Sequence, residues 1–154
     1  MSWFPYEEGS TIYLENKAAD TLLPIPIDYV RVYHKTHYTT GTDCGNCDDN
    51  IDIGSKEDFS ISVFIEKNKI KAEHYYIKGV GFYEDAVMLD KYTFNNKEYE
   101  QVKIFENTDN NSKLIVAQNF GVIAFIDKDG NEWVLIENNV TQKAKPNITN
   151  SACD

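Results

Sequence analysis

The amino-acid sequence reads as an all-β chain, an antiparallel meander forming either a two-layer sandwich or an open barrel. Three observations lead there. Apolar residues fall in short alternating or continuous runs rather than at helical spacing. Gly, Asn, Asp and Pro close those runs off. Ten Tyr and eight Phe supply side chains that suit a pleated, half-buried surface.

The clearest stretch is Lys113 to Glu137, where Leu114–Ala117, Val122–Ile126 and Trp133–Ile136 are each too short for a stable helix and are separated by turn residues. In the middle run Val122, Ala124 and Ile126 alternate with Ile123 and Phe125, so both faces are apolar. Such a strand belongs at the centre of a sheet, covered on both sides.

From the start of the chain, Pro5 forbids a helix through the aromatic opening Trp3-Phe4-Pro5-Tyr6, and Thr11–Glu15 alternates as an edge strand entering the domain. Asn16–Asp20 is a polar turn. Leu22–Ile27 carries Pro24 and Pro26, which cannot donate to a ladder and so mark a sheet edge. Tyr29–Tyr38 alternates, with Val30, Val32 and His34 opposite Tyr29, Arg31 and Tyr33. Gly41–Glu57, rich in Gly, Asn and Asp, is expected to be irregular. Phe59–Glu66, a turn at Lys67-Asn68-Lys69, and Ile70–Ile77 predict a hairpin. Gly79-Val80-Gly81 predicts a bend or bulge. Ala86–Phe94 and Tyr99–Phe105 flank Asn95-Asn96, a hairpin tip because Asn tolerates positive φ, and Glu106–Ser112 is a polar loop. Residues 1–137 form one domain and 138–154 a flexible polar tail.

At 154 residues, folding can bury roughly 70% of the unfolded surface, enough for a core without metal or disulfide support. The formal net charge of −10 repels phosphate backbones and anionic lipid, so nucleic acid is not an expected partner. No apolar run approaches the ~18 residues of a transmembrane segment. Met1-Ser2-Trp3-Phe4-Pro5 has neither a basic nor an apolar leader region, as for a cytoplasmic initiator or a start replacing a removed signal peptide.

Candidate chemistry centres on Cys44-Gly45-Asn46-Cys47. Asp43, Asp48 and Asp49 surround it with negative charge that disfavours a thiolate, which argues against redox catalysis. With His34 and His37 the pattern becomes H-x2-H-x6-C-x2-C, a zinc-type donor set. Residues three apart on a strand point to opposite faces, so His34 and His37 share an ion only if the strand bends or ends between them. The simpler expectation is a small loop disulfide between Cys44 and Cys47, or free thiols, with Cys153 as an odd third sulfur and no cofactor.

Asp127-Lys128-Asp129-Gly130-Asn131-Glu132 spaces oxygen ligands like the start of a calcium loop, yet Leu135 stands where the closing Glu belongs, and a hairpin turn accounts for the same residues. Ser60 and Ser62 lie on an alternating strand, outside any nucleophile elbow. His74, beside Glu73, has no evident catalytic partner. Tyr75, Tyr76, Phe82 and Tyr83 either line a binding surface or pack in the core. These features point to a non-enzymatic binding domain whose contact region is the acidic Gly41–Glu57 segment, through Asp43, Asp48, Asp49 and Asp52, towards a protein with a basic surface.

The opening Trp3-Phe4-Pro5-Tyr6-x-x-Gly9 with its following strand, together with Ala117–Phe125 and Gly130–Ile136, resembles the first and last strands of small Bacteroidota-type secreted lipoproteins. The resemblance implies a periplasmic or outer-membrane-associated domain with a binding or scaffolding role, cysteines free to be oxidised, and a lipid tether in a longer native chain. No lipobox cysteine lies near residue 1, a departure from that pattern. The competing expectation is an acidic cytoplasmic immunity protein or inhibitor that masks a basic toxin.

Overall fold

The structure, a computed structural model, describes residues 3–36, 47–56, 58–66, 69–83 and 85–136. Among these there is no helix. The first hairpin is β1 (Thr11–Asn16) and β2 (Thr21–Pro26). A central group follows: β3 (Tyr29–Thr36), β4 (Cys47–Gly54), β5 (Phe59–Glu66), β6 (Lys69–Ile77) and β7 (Val80–Phe82). The last five strands are β8 (Val87–Phe94), β9 (Lys97–Asn107), β10 (Ser112–Ala117), β11 (Gly121–Ile126) and β12 (Glu132–Leu135).

They form two antiparallel sheets, one of seven strands in the order β2-β1-β12-β11-β10-β9-β8 and one of five in the order β3-β4-β5-β6-β7. Neither closes on itself, so of the two architectures expected the sandwich is the one adopted. Each sheet is a meander of sequence neighbours except at one join, where β1 pairs with β12 (Leu14 opposite Leu135). That join corrects the expectation that Thr11–Glu15 is an edge. β2 takes the edge instead, and its two prolines explain why it can, since the side facing solvent needs no ladder donors.

The change of sheet is abrupt. Ile27 N–H donates to Ser10, the residue before β1 of one sheet, at 2.9 Å, and Asp28 N–H donates to Gly54 in the other sheet at 2.8 Å. β11, fourth of the seven strands, has Val122, Ile123, Ala124 and Phe125 all buried, as its doubly apolar pattern requires. The layers meet through ring contacts: Phe82 against Phe125 at 6.3 Å, and Tyr75 against Phe105 at 4.8 Å between centroids.

Turn chemistry follows the sequence closely. Asn95 and Asn96 both have positive φ (51° and 63°), the type I′ geometry that matches strand twist, and Phe94 pairs with Lys97 across them. Lys78 and Gly79 do the same (48° and 80°) between Ile77 and Val80, so the expected bend at Gly79 is a tight hairpin. Asp127 ties the β11–β12 turn by accepting from the backbone N–H groups of Asp129 and Asn131 at 3.0 and 2.9 Å. Desolvation pushes its pKa up, but these bonds, with those from the Asn131 and Trp133 side chains, outweigh it and leave the carboxyl below its ordinary value.

The aromatic opening is a plug rather than a strand. Phe4 and Tyr6 are buried, and Val122 N–H donates to Tyr6 Oη at 2.7 Å. Gly121 makes room for that phenol: its φ is +71°, and a Cβ there would fall 2.3 Å from Tyr6 Oη. The two segments that carry the lipoprotein resemblance therefore touch, although 116 residues separate Tyr6 from Val122.

Candidate ligand-binding face

Gly41–Glu57, expected as an irregular acidic loop, contains β4, paired on both sides through most of its length. The reason lies in Ile51 and Ile53: both are buried, and the residues alternating with them are polar, which is the pattern of a half-buried strand despite the low β propensity of Asp and Asn. The nominated carboxylates are accordingly dispersed. Asp49 is buried on the inward face with Ile51 and Ile53, whereas Asp52 lies on the outward face with Asn50. Asp48 stands opposite Lys35 and Glu66 in the register, and Asp43 lies outside the described residues.

Of the zinc and disulfide candidates, His37 and Cys44 are likewise outside the described residues. His34 pairs with Asp49, and Cys47 with Thr36. Among the described residues no group of three or more His, Cys, Asp or Glu could hold a metal ion.

What the register does assemble is the outward face of the five-stranded sheet. One cross-strand row runs Arg31–Asp52–Ser62–His74 over β3 to β6. On one side of it lies the row Tyr29–Gly54–Ser60–Tyr76–Gly81, and on the other the row Tyr33–Asn50–Phe64–Ala72. A polar floor one residue wide is thus flanked by aromatic rows. With strands ~4.8 Å apart the floor is roughly 14 Å long, and each flanking row is about 7 Å away.

The rings are open to solvent: Tyr33 is 44% exposed, Phe64 and Tyr76 37% each, and Tyr83, just beyond β7, 64%. Two glycines of the flanking row seat two of the tyrosines. The Tyr83 ring lies against Gly81, where a Cβ would fall 2.2 Å from its Cε2, and the Tyr29 hydroxyl lies over Gly54, 2.6 Å from a Cβ there. His74 meets Tyr83 edge to face at 5.2 Å, and the Arg31 guanidinium sits 4.8 Å from the Tyr29 ring centre. Ser62 Oγ donates to Asp52 at 2.9 Å.

The expected aromatic group is therefore divided. Tyr75 and Phe82 belong to the core, Tyr76 and Tyr83 to the surface. Ser62 and His74, unremarkable as catalytic candidates, become neighbours in the floor. Alternation along the sequence puts Tyr29, Arg31 and Tyr33 on one face of their strand; their alignment with Asp52 and His74 depends on register.

A second polar cluster lies between the layers, where Lys103 bonds Glu73 with both side chains nearly buried. The Lys103 ammonium is 4.2 Å from the Trp3 ring centre. Tyr75 Oη donates to Glu73 at 3.4 Å, and burial, reinforced by the Glu73 charge, pushes the Tyr75 pKa well above its ordinary value. This arrangement satisfies a buried pair and couples the two sheets.

Among the described residues no helix is long and apolar enough to cross a membrane. No protein-family model matches the chain, and no curated protein and no solved structure is significantly similar to it.

Proposed function

We propose that the chain is a non-enzymatic binding domain of the secreted-lipoprotein type, working outside the cytoplasm, whose contact surface is the outward face of the five-stranded sheet. One observation carries the choice of surface: four exposed aromatic side chains, Tyr33, Phe64, Tyr76 and Tyr83, border the polar row Arg31–Asp52–Ser62–His74. Exposed rings forgo burial that the core would reward, and aromatic side chains beside fixed hydrogen-bonding groups are the usual composition of a recognition surface. The acidic segment offers less, since Asp49 is turned inward and Asp52 belongs to the aromatic face.

The test sets rings against charge. The wild type, a ring-depleted variant (Tyr76→Ser with Tyr83→Ser) and a charge-depleted variant (Asp43→Asn with Asp48→Asn) are applied to the same immobilised glycan and peptide arrays, and to cytochrome c as a basic protein. Binding lost by the ring-depleted variant and kept by the charge-depleted one supports the proposal. The opposite pattern overturns it in favour of the acidic surface, and a wild type that binds nothing counts against a binding role.

A further inference from the structure

We infer that this face takes a neutral glycan, a chain of uncharged sugar rings lying along the Arg31–Asp52–Ser62–His74 row with its ring faces against the flanking aromatics. The inference rests on the reading of the face given above and names its ligand.

A sugar ring offers two surfaces at once: C–H faces that are apolar, and a rim of hydroxyls that both donate and accept. Recognition therefore needs aromatic plates and, close beside them, short polar groups of both kinds. Tyr76, Tyr83 and Phe64 provide the plates. Asp52 accepts, Arg31 donates, Ser62 can do both, and the His74 ring adds two nitrogens. Asp52 and Ser62 are already bonded to each other, so part of the ordering cost precedes ligand arrival.

Two further observations separate a neutral glycan from other occupants. Of the strands under the row, β4, β5 and β6 have partners on both sides and β3 is an edge, so strand addition is open to a peptide only beside β3, and a ligand lying across the row is held by side chains. In the floor, Arg31 and Asp52 stand opposite each other and balance, while the chain as a whole carries −10. A polyanion, whether nucleic acid or acidic polysaccharide, meets net repulsion there, and an uncharged chain does not.

Gly81 provides a discriminating substitution. Gly81→Ala keeps every ring and every polar group, but the added methyl takes the place where the Tyr83 ring rests, and that exposed ring can swing away.

The experiment is isothermal titration and affinity electrophoresis of the full chain with soluble neutral polysaccharides: a mixed-linkage β-glucan, xyloglucan, galactomannan, mannan and dextran. Alginate, a proline-rich peptide and cytochrome c serve as alternatives. The expected result is binding of at least one neutral polysaccharide with little dependence on salt. It should weaken about tenfold in Tyr83→Ser and in Gly81→Ala, with unchanged thermal midpoints. Asp52→Asn, which retains shape, should also weaken it.

No neutral polysaccharide bound by the folded wild type overturns the inference. Binding of alginate, peptide or cytochrome c in place of neutral polysaccharide, dependent on Tyr76 and Tyr83, overturns the neutral glycan and leaves the face standing. Polysaccharide binding indifferent to Tyr76, Tyr83 and Gly81 overturns both.

Discussion

Strand β6 presents the same chemistry twice. On its inward side Glu73 and Tyr75 are enclosed between the layers, where Lys103 neutralises the carboxylate and the Tyr75 hydroxyl donates to it. On its outward side His74 and Tyr76 stand in solvent, beside Ser62, Ser60 and the Tyr83 ring. A tyrosine and a titratable neighbour thus hold the sheets together on one face and are available to a ligand on the other. The difference lies in what covers them: in the low-dielectric interior each polar atom must find a protein partner, while at the surface water substitutes until a ligand arrives.

If that contrast is sound, substitutions on the two faces should fall at opposite ends of the stability scale. Lys103→Met should be the most damaging, about 3–5 kcal/mol by urea denaturation, because it leaves the Glu73 charge enclosed and unpaired. Adding Glu73→Leu should restore most of the loss, and failure to do so would show that the pair contributes more than mutual neutralisation. Tyr6→Phe should cost about 1–3 kcal/mol by leaving the Val122 N–H buried without its acceptor, with faster hydrogen exchange at that amide as the local readout.

A smaller effect is expected at the β11–β12 turn. The folded pKa of Asp127 lies below its unfolded value, so the unfolded chain binds the proton more readily and stability rises with pH through that interval. The contribution is present above the unfolded carboxyl range and is lost as pH falls through the folded value. Asp127→Ala should flatten the acid limb of the stability profile. Smallest of all, Tyr76→Ser and Tyr83→Ser should each change stability by less than about 0.5 kcal/mol. A large loss at either would place that ring with the core and remove the basis for an open binding face.

Much of the architecture is written in local pattern. Alternation in Phe59–Glu66 assigns Phe59, Ile61 and Val63 to one side, the paired asparagines specify their turn, the prolines place β2 at an edge, and the doubly apolar run of β11 places it at the centre. Each depends on residues a few positions apart, whose geometry follows from the two-residue strand period or from the φ a side chain permits. Tertiary structure decided the rest: that β1 is flanked by β12, that Asp49 turns inward while Asp52 joins Arg31, Ser62 and His74, that Lys103 meets Glu73, and that Tyr6 reaches Gly121. Periodicity says which residues share a side of one strand, but not which distant strand will lie beside it or whether a second layer will cover that side. Those choices are made by packing across the whole chain.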